Sequence, residues 1–268
     1  MRAALGLLNI DHRMSQAQLF AFAPVYNEAG SIRQVAQEWV DAFRRLGIRA
    51  TLLLLDDGSS DATPAILEEL RRELPELQVV RHSNRGHGPS CTQGYRRALE
   101  SGAEWIFQID SDGQCDPVYF PKVWAARESR DAVFGYRTRR DDGLSRLAIS
   151  RILSSLVFTL TGVWIKDSNV PYRLFRRPLL ERLLPKIPDT ARFPNVLLSI
   201  AVMRDTPPVW IPIRFRNRSA GESTVNLGKM AHFARQVYEE VRSYAAFGSS
   251  PVGGGPAGLE GRPPSRSD

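Results

Sequence analysis

Apolar runs alternate with amphipathic stretches along the first 110 residues of the chain. Four short runs have the length and composition of buried strands: LFAFA (19–23), TLLLL (51–55), LQVVRH (77–82) and EWIFQI (104–109). The stretches between them repeat apolar side chains at helical spacing. Strand and helix in this alternating order predict an α/β domain, with a mostly parallel sheet flanked by helices.

Local signals predict where three helices begin or end. Ser31, with Gln34 three residues later, predicts a capping box at the first helix. Thr63 followed by Pro64 predicts the start of the second, because the first turn does not need the N–H that proline lacks. A third helix is predicted over residues 89–101. The polar clusters of this half therefore fall at the carboxyl ends of the strands, where such sheets bind ligands.

The second half of the chain has a less regular pattern. Three further strands are predicted: AVFGYR (132–137), RLFRR (173–177) and VWIPIRF (209–215). Pro212 places the last of them at an edge or a bulge, because proline cannot donate to a sheet ladder.

Two amphipathic helices are also predicted in this half. Over residues 147–164 an apolar stripe faces the small polar residues Ser150, Ser154 and Thr161, and Phe158 lies off the stripe. The stripe consists of Ile149, Ile152, Leu153, Leu156, Leu160, Val163 and Trp164. In a last helix, at about 229–247, the apolar residues that repeat at helical spacing are Phe233, Val237, Val241 and Tyr244. The two apolar faces either cover the sheet or lie on a membrane surface.

The chain is expected to form one domain with additions at both ends. We divide it into an N-terminal extension (1–17), a catalytic-type α/β domain (18–227), a C-terminal amphipathic helix (228–247) and a disordered tail (248–268). The tail is assigned from its Gly, Pro and Ser content. No unbroken run reaches the roughly 18 apolar residues that a membrane span needs, and the chain is expected to be cytoplasmic.

A net charge of +7 favours anionic partners, among them nucleic acid, phosphorylated ligands and acidic membrane. Nucleic acid is not expected, because the arginines fall at strand ends instead of forming one stripe. Cys91 and Cys115 stand alone in the sequence, which predicts neither a zinc site nor a disulfide framework.

The strongest candidate chemistry lies in FQIDSDGQCDP (107–117), where Asp110 and Asp112 follow a buried strand. Two carboxylates at such a place repel each other and are costly to desolvate. Mg²⁺ or Mn²⁺ would offset that cost, since these cations take one or two carboxylates and complete their coordination with phosphate oxygens and water. The pair therefore predicts a metal site for a nucleoside-diphosphate ligand.

Further candidates follow the other strands. Asp56 and Asp57 open a turn after the second strand, and Asp57 is favoured as an acceptor for a nucleobase or ribose. Tyr26 offers a stacking face and Glu28 a further carboxylate. In HSNRGHGPS (82–90), Asn84, Arg85 and His87 surround two glycines before a helix, an arrangement that favours anions. Arginines cluster at 137–140 and 214–218, and one or two of them are expected to neutralise diphosphate.

Taken together, these motifs resemble a family 2 glycosyltransferase of the GT-A (Rossmann-like) fold. The chain is most similar to the branch that contains dolichyl-phosphate mannose synthases and related polyprenyl-phosphate sugar transferases. The resemblance covers residues 19–225. It rests on PVYNE, LDDGSSDAT, the N-x-G block that leads to the D-x-D motif, KDSNVPYRLFRR and RNRSAGEST. Two positions depart from the pattern: Pro171 stands where glycine is usual, and Thr224 where lysine is common.

The resemblance implies a role for each matching residue. Pro24, Tyr26, Glu28 and Asp57 would hold the nucleoside, and Asp110 and Asp112 the metal and diphosphate. Gln114 would complete the metal site. Asp167 matches the acceptor-site carboxylate and Arg218 an arginine that reaches the diphosphate. We count Asp56, Asn84, Gly86 and Arg137 with the nucleotide-binding group.

The implied reaction is inverting, metal-dependent transfer of a sugar from a UDP- or GDP-sugar. The acceptor is left open between a polyprenyl phosphate and a hydroxyl of a glycan or small molecule. A lipid acceptor would go with peripheral contact at the inner membrane face. Two alternatives stay open, a sugar nucleotidyltransferase and a non-catalytic homologue that binds nucleotide sugars.

Overall fold

The structure is a computed structural model that describes residues 18–138, 144–216 and 227–248. The strands are β1 (Leu19–Val25), β2 (Ala50–Asp56), β3 (Leu77–Arg81), β4 (Trp105–Gln108), β5 (Ala132–Arg137), β6 (Arg173–Arg176) and β7 (Val209–Ile213). The helices are α1 (Ile32–Arg45), α2 (Thr63–Glu73), α3 (His87–Glu100), α4 (Phe120–Ala126), α5 (Leu144–Thr161), α6 (Arg177–Leu183), α7 (Pro194–Asp205) and α8 (Leu227–Gly248). Every strand predicted from the sequence is present, with ends that shift by one or two residues.

The seven strands form one sheet in the order β3-β2-β1-β4-β6-β5-β7. The neighbours β3, β2, β1 and β4 run parallel, and β6 is antiparallel to both β4 and β5. β7 lies at the edge, parallel to β5, which confirms the position expected from Pro212. The predicted mostly parallel α/β sheet is therefore confirmed, with β1 and β4 at its centre.

Each face of the sheet is covered by a separate hydrophobic core. On one face, α1 places Trp39 and Phe43 against the aromatic rings of Phe107, Phe120 and Tyr172. On the other face, α3, α6, α7 and α8 cover side chains from β1, β4, β5 and β6. Both cores end at the carboxyl edge of the parallel strands, which leaves the strand-end loops open to ligands.

The capping box predicted at the start of α1 is wrong. Ser31 precedes the helix, but its side chain makes no capping hydrogen bond. Its hydroxyl instead donates to Glu28 Oε2 at 2.8 Å and lies 3.1 Å from the carbonyl oxygen of Ser111. Ser31 thereby joins the loop after β1 to the loop after β4.

The stripe predicted on the helix at 147–164 is only partly right. α5 ends at Thr161, so Val163 and Trp164 lie beyond the helix. Ser154, expected on the polar face, is buried with Leu153 and Val157. Phe158 lies off the buried face as predicted. The side chains of residues 144–152 lie outside the described part.

The apolar face predicted for the last helix is confirmed. Val237 and Val241 of α8 are buried in the second core, and Phe233 and Tyr244 pack against it. α8 contacts both α5 and α7. This apolar face is consequently occupied by protein. Residues 1–17 and 249–268, which hold the predicted extension and nearly all of the predicted tail, lie outside the described residues.

Close packing of α3 on β1 gives a test of the fold. A Cβ atom built on Gly94 of α3 would lie 2.2 Å from the ring of Phe22. Because overpacking a core forces side chains from their rotamers, we expect Gly94→Ala to lower the free energy of unfolding by about 1–3 kcal/mol, measured by urea denaturation. Gly30→Ala is the matched control, since nothing lies within 4 Å of its added Cβ. Equal stability of the two variants would contradict the packing described here.

Candidate active site

A cavity of about 390 Å³ opens at the carboxyl ends of β1, β2 and β4. It is lined by Pro24, Val25, Tyr26, Glu28, Asp57, Asn84, Gly86, His87, Asp110, Ser111 and Asp112. Eight of the predicted site residues are thus brought together from the ends of four strands, since Asn84 and Gly86 follow β3. We call this the donor cavity.

The loops after β1 and β2 are fastened to each other beside the donor cavity. Asn27 adopts a positive φ of 54°, a conformation that asparagine tolerates better than most residues. Its backbone N–H donates to Ser59 Oγ at 2.9 Å, and its side-chain oxygen accepts from the N–H of Ser60 at 2.9 Å. These two bonds fix the backbone next to Tyr26, whose side chain stays 50% exposed at the mouth of the cavity.

Asp57 holds the turn that leads into α3. Its two carboxylate oxygens accept hydrogen bonds from the backbone N–H groups of Arg85 (2.7 Å) and Gly86 (2.9 Å). The predicted nucleoside acceptor is therefore also a structural anchor, buried at the floor of the cavity. His82 Nδ1 also lies 3.3 Å from Oδ1. Oδ2 can accept a second hydrogen bond from a ligand, so the two roles are compatible.

Asp56 does not reach the donor cavity. This buried carboxylate accepts a hydrogen bond from the N–H of Ser59 at 2.8 Å and pairs with Arg81 at 3.1 Å. The geometry gives Asp56 a part in shaping the turn after β2, and the nucleotide contact expected from the sequence stays a prediction.

The carboxylate of Asp110 lies in the donor cavity at a cost in desolvation free energy. Its Oδ1 is buried and has no hydrogen-bond partner among the residues that the structure describes. The pKa of Asp110 is raised to about 6, chiefly by burial; His87 and Arg137 act to lower it, and the carboxylates of Asp112 and Glu28 act to raise it. Because desolvation disfavours the charged form, this oxygen needs a cation or a proton.

The donor set fits a hard divalent cation that arrives with its own ligand. Among the described residues, no three His, Cys, Asp or Glu side chains are grouped closely enough to form a metal site by themselves. One buried, unpartnered carboxylate oxygen beside a second carboxylate is what Mg²⁺ or Mn²⁺ requires when a substrate supplies the remaining oxygens. Asp110 and Asp112 remain the residues expected to hold it.

The loop that carries these aspartates is fixed at both ends. The hydroxyl of Ser111 donates to the carbonyl of Pro24 at 2.7 Å, which joins the ends of β4 and β1. On the far side, Gln114 Nε2 donates to the carbonyl of Arg216 at 3.3 Å, and the N–H of Arg216 donates to the carbonyl of Gln114 at 3.0 Å. Gln114 therefore connects two loops and lies outside the cavity lining. Its predicted role as a metal ligand stays a prediction.

Arg216 secures that second connection. Its guanidinium donates to Asp116 at 2.8 Å and to Glu38 of α1 at 2.5 Å. Of the arginines that follow β7, Arg216 is thus engaged in holding the chain in place. Arg218, the arginine expected to reach the diphosphate, lies outside the described residues.

Asp167 and Arg137 form a separate pair that does not line the donor cavity. The guanidinium makes two 2.7 Å hydrogen bonds to the two oxygens of the buried Asp167 carboxylate. Desolvation acts to lower the pKa of Arg137, but hydrogen bonding and charge from Asp167 together raise it above its ordinary value. A two-pronged contact of this kind is among the stronger ion pairs.

Sequence reasoning passed over Arg173, which organises the loop after Asp167. Its guanidinium is completely buried and donates to the carbonyls of Val170 (2.6 Å), Asn195 (2.7 Å) and Ser168 (2.7 Å). Desolvation lowers its pKa to about 10. Its place in the predicted strand gave no signal of these contacts, because Asn195 is 22 residues away in sequence.

The sequence also matches a family of known proteins. Residues 21–184 match the family model described as glycosyl transferase family 2. The chain belongs to that family. The predicted family is therefore confirmed, and its residues for the nucleoside, the metal and the acceptor are hypotheses about this member.

Relatives of this glycosyl transferase family 2 protein include an undecaprenyl-phosphate 4-deoxy-4-formamido-L-arabinose transferase of Salmonella paratyphi B. The two are 29% identical over 203 residues, which is 75% of this chain and 60% of the relative. The same enzyme of Salmonella typhimurium matches equally well. The chain thus spans 60% of the length of these relatives.

Solved structures of similar fold include glucosyl-3-phosphoglycerate synthase from Mycobacterium tuberculosis. One, with phosphoglyceric acid, has a TM-score of 0.59 at 19% identity and covers 87% of this chain and 81% of that one. Another, with Mn²⁺ and uridine-diphosphate-glucose, has a TM-score of 0.57 at 19% identity over 87% and 80% of the two chains. These likenesses confirm the GT-A-like fold of this family member.

The buried charge of Asp110 gives a test of the cavity. In metal-free protein with a chelator at pH 7.5, we expect Asp110→Asn to raise the free energy of unfolding by about 1–3 kcal/mol, since each unit of pKa shift is worth about 1.4 kcal/mol. The pKa of the folded state is raised, so the penalty is absent below the ordinary Asp pKa, grows as pH rises from there to about 6, and is complete above about 6.

The gain in Asp110→Asn should therefore shrink at pH 4, and urea titrations at the two pH values measure it. Asp41→Asn is the control, because that carboxylate lies on the exposed side of α1 and should show no such gain. A stability gain that does not depend on pH would contradict the buried-charge explanation.

Proposed function

We propose that this protein is an inverting, metal-dependent glycosyltransferase that uses a nucleoside-diphosphate sugar. The observation that carries the proposal is the unpartnered Oδ1 of Asp110 beside Asp112 in the donor cavity. A metal–diphosphate would compensate this charge, and the family membership provides the reaction class. The mycobacterial synthase of similar fold has been solved with Mn²⁺ and a uridine-diphosphate sugar, which supports the same cofactor and donor class here.

The nucleoside has a defined place in this proposal. The half-exposed ring of Tyr26 offers a stacking surface, and Asp57 offers hydrogen-bond acceptors at the floor. Asn84 and Gly86 also line the cavity. Glu28 is held at the entrance by the hydroxyl of Ser31. The diphosphate would then extend toward Asp110 and Asp112, away from Tyr26.

Transfer forms one bond and breaks another. An acceptor oxygen attacks the anomeric carbon from the face opposite the leaving group, and the electrons of the breaking C–O bond pass to the nucleoside diphosphate. The bound cation would stabilise the charge that grows on the leaving phosphates. A hydroxyl acceptor must also lose its proton to a base, whereas an ionised phosphate has none to lose.

The contacts of Asp167 favour an acceptor that arrives already ionised. Two hydrogen bonds from Arg137 stabilise the charged carboxylate and make it a poor proton acceptor. A phosphate monoester, with a second pKa of about 6, needs no base at neutral pH. We therefore assign Asp167 a positioning role and propose a polyprenyl phosphate as acceptor, in line with the undecaprenyl-phosphate transferases among the relatives.

Metal-dependent donor binding is the direct test of this function. We expect one nucleoside-diphosphate sugar from a UDP and GDP panel to raise the melting temperature only with Mn²⁺ or Mg²⁺. Asp112→Ala should lose that shift, with nucleotide affinity lowered more than the ~10–100-fold typical of changes to the outer partners of a metal site. Asp41→Ala, which removes an equal charge elsewhere, should keep it.

Product analysis separates the remaining alternatives. Release of nucleoside diphosphate together with a glycosylated prenyl phosphate supports the proposal. Release of pyrophosphate from nucleoside triphosphate and sugar phosphate would indicate a nucleotidyltransferase. Donor binding without turnover on any acceptor would indicate a non-catalytic homologue.

A lipid acceptor implies contact with a membrane surface, and the end of α5 offers one. Phe158 and Trp164 are 49% and 56% exposed, with ring centroids 6.1 Å apart. No acidic residue occurs between Asp142 and Asp167, and the exposed Lys166 lies beside the pair in sequence. Aromatic rings with nearby cations are typical of interfacial segments. None of the described helices is long and apolar enough to cross a bilayer, so this contact would be peripheral.

Vesicle flotation tests the membrane contact. We expect the protein to float with vesicles that contain anionic lipid, and the double variant Phe158→Ser/Trp164→Ser to lose most of that binding. The matched control is Tyr238→Ser, an exposed aromatic on α8. Retained flotation of the double variant, or equal loss in the control, would contradict the assignment of this surface.

A further inference from the structure

A second groove, of about 720 Å³, adjoins the donor cavity. It lies between the first turns of α3 and the segment 189–192, and Gly86 and His87 line both spaces. We call it the arginine groove after its three cations, Arg85, Arg96 and Arg192. A ligand in the groove would therefore lie directly beside a donor in the cavity.

The two adjoining spaces carry opposite charge. The donor cavity is lined by four carboxylates: Glu28, Asp57, Asp110 and Asp112. The arginine groove has one carboxylate, that of Asp189, and it is paired with Arg96. Within the part of the chain that the structure describes, Arg85 and Arg192 make no ion pair. The cavity therefore suits a cation with its diphosphate, and the groove suits an anion without a metal.

The backbone that carries the two unpaired arginines is held in place. The N–H of Arg85 is bound by Asp57, and the N–H of Arg192 donates to the Glu240 carboxylate of α8 at 3.1 Å. A Cβ atom on Gly88 would lie 2.5 Å from the carbonyl oxygen of Arg192, so α3 and this segment touch through their backbones. The positions from which the two guanidinium groups extend are consequently fixed before any ligand binds, which lowers the entropic cost of binding.

We propose that the arginine groove binds a phosphate monoester without metal, next to the donor. Guanidinium groups match the oxygens of phosphate in geometry as well as charge. The assignment of this phosphate to the acceptor rests on the proposed function, whereas anion binding by the groove does not. A prenyl phosphate and a soluble phosphorylated hydroxy compound share this chemistry.

Binding of inorganic phosphate in the presence of a chelator tests the groove, measured by calorimetry at low salt. We expect the double variant Arg85→Gln/Arg192→Gln to bind at least about tenfold more weakly, since hydrogen bonds to charged groups are lost. Arg97→Gln is the matched control. It lies on α3 outside the groove lining, near Glu100, and should bind phosphate as the unaltered protein does.

Two further ligands separate the sources of the phosphate. Tighter binding of geranyl phosphate than of glycerol 3-phosphate assigns the groove to a lipid acceptor, and the reverse order assigns it to a soluble one. The metal-dependent thermal shift with donor nucleotide is recorded in each variant, so failure of the proposed function is seen separately. The inference is overturned if the unaltered protein binds no phosphate without metal, or if the double variant binds it as well as Arg97→Gln.

Discussion

One carboxylate oxygen at the end of a central strand, buried without a hydrogen-bond partner among the described residues, constrains the carboxyl edge of the sheet. Asp110 can keep its charge in the metal-free protein only against an unfavourable desolvation free energy. The surrounding loops cannot relax to solvate it, because Ser111 is bound to Pro24 and Gln114 to the chain at Arg216. The folded protein therefore keeps an unfavourable electrostatic free energy at Asp110, which a ligand that carries a metal ion would reduce.

At the same edge of the sheet, negatively and positively charged side chains occupy different places. Carboxylates lie where β1, β2 and β4 end, and the two arginines that form no ion pair among the described residues lie in the adjoining groove, Arg85 before α3 and Arg192 before α7. Asp57 belongs to both regions, since it faces the cavity and anchors the backbone of Arg85. Binding of a donor and binding of a second anion are therefore connected through one short, rigid turn.

Hydrophobic periodicity was sufficient to predict the strands and the overall sheet, because each strand is an uninterrupted or alternating apolar run. Strand ends also predicted that Tyr26, Glu28, Asp57 and Asp110 would meet. Contacts between side chains distant in sequence were not predictable. The sequence predicts that Ser31 caps α1, and only the folded chain shows that its hydroxyl donates to Glu28 and makes no capping hydrogen bond.

The burial of Arg173 has a consequence for the acceptor side. Its guanidinium is held by three carbonyl groups and no carboxylate, and a pKa lowered to about 10 still leaves it protonated at every physiological pH. A permanent positive charge therefore lies beside the loop that follows Asp167. Under the proposed function, the charge of the donor side would change whenever metal or nucleotide enters or leaves, whereas the charge of Arg173 would stay constant.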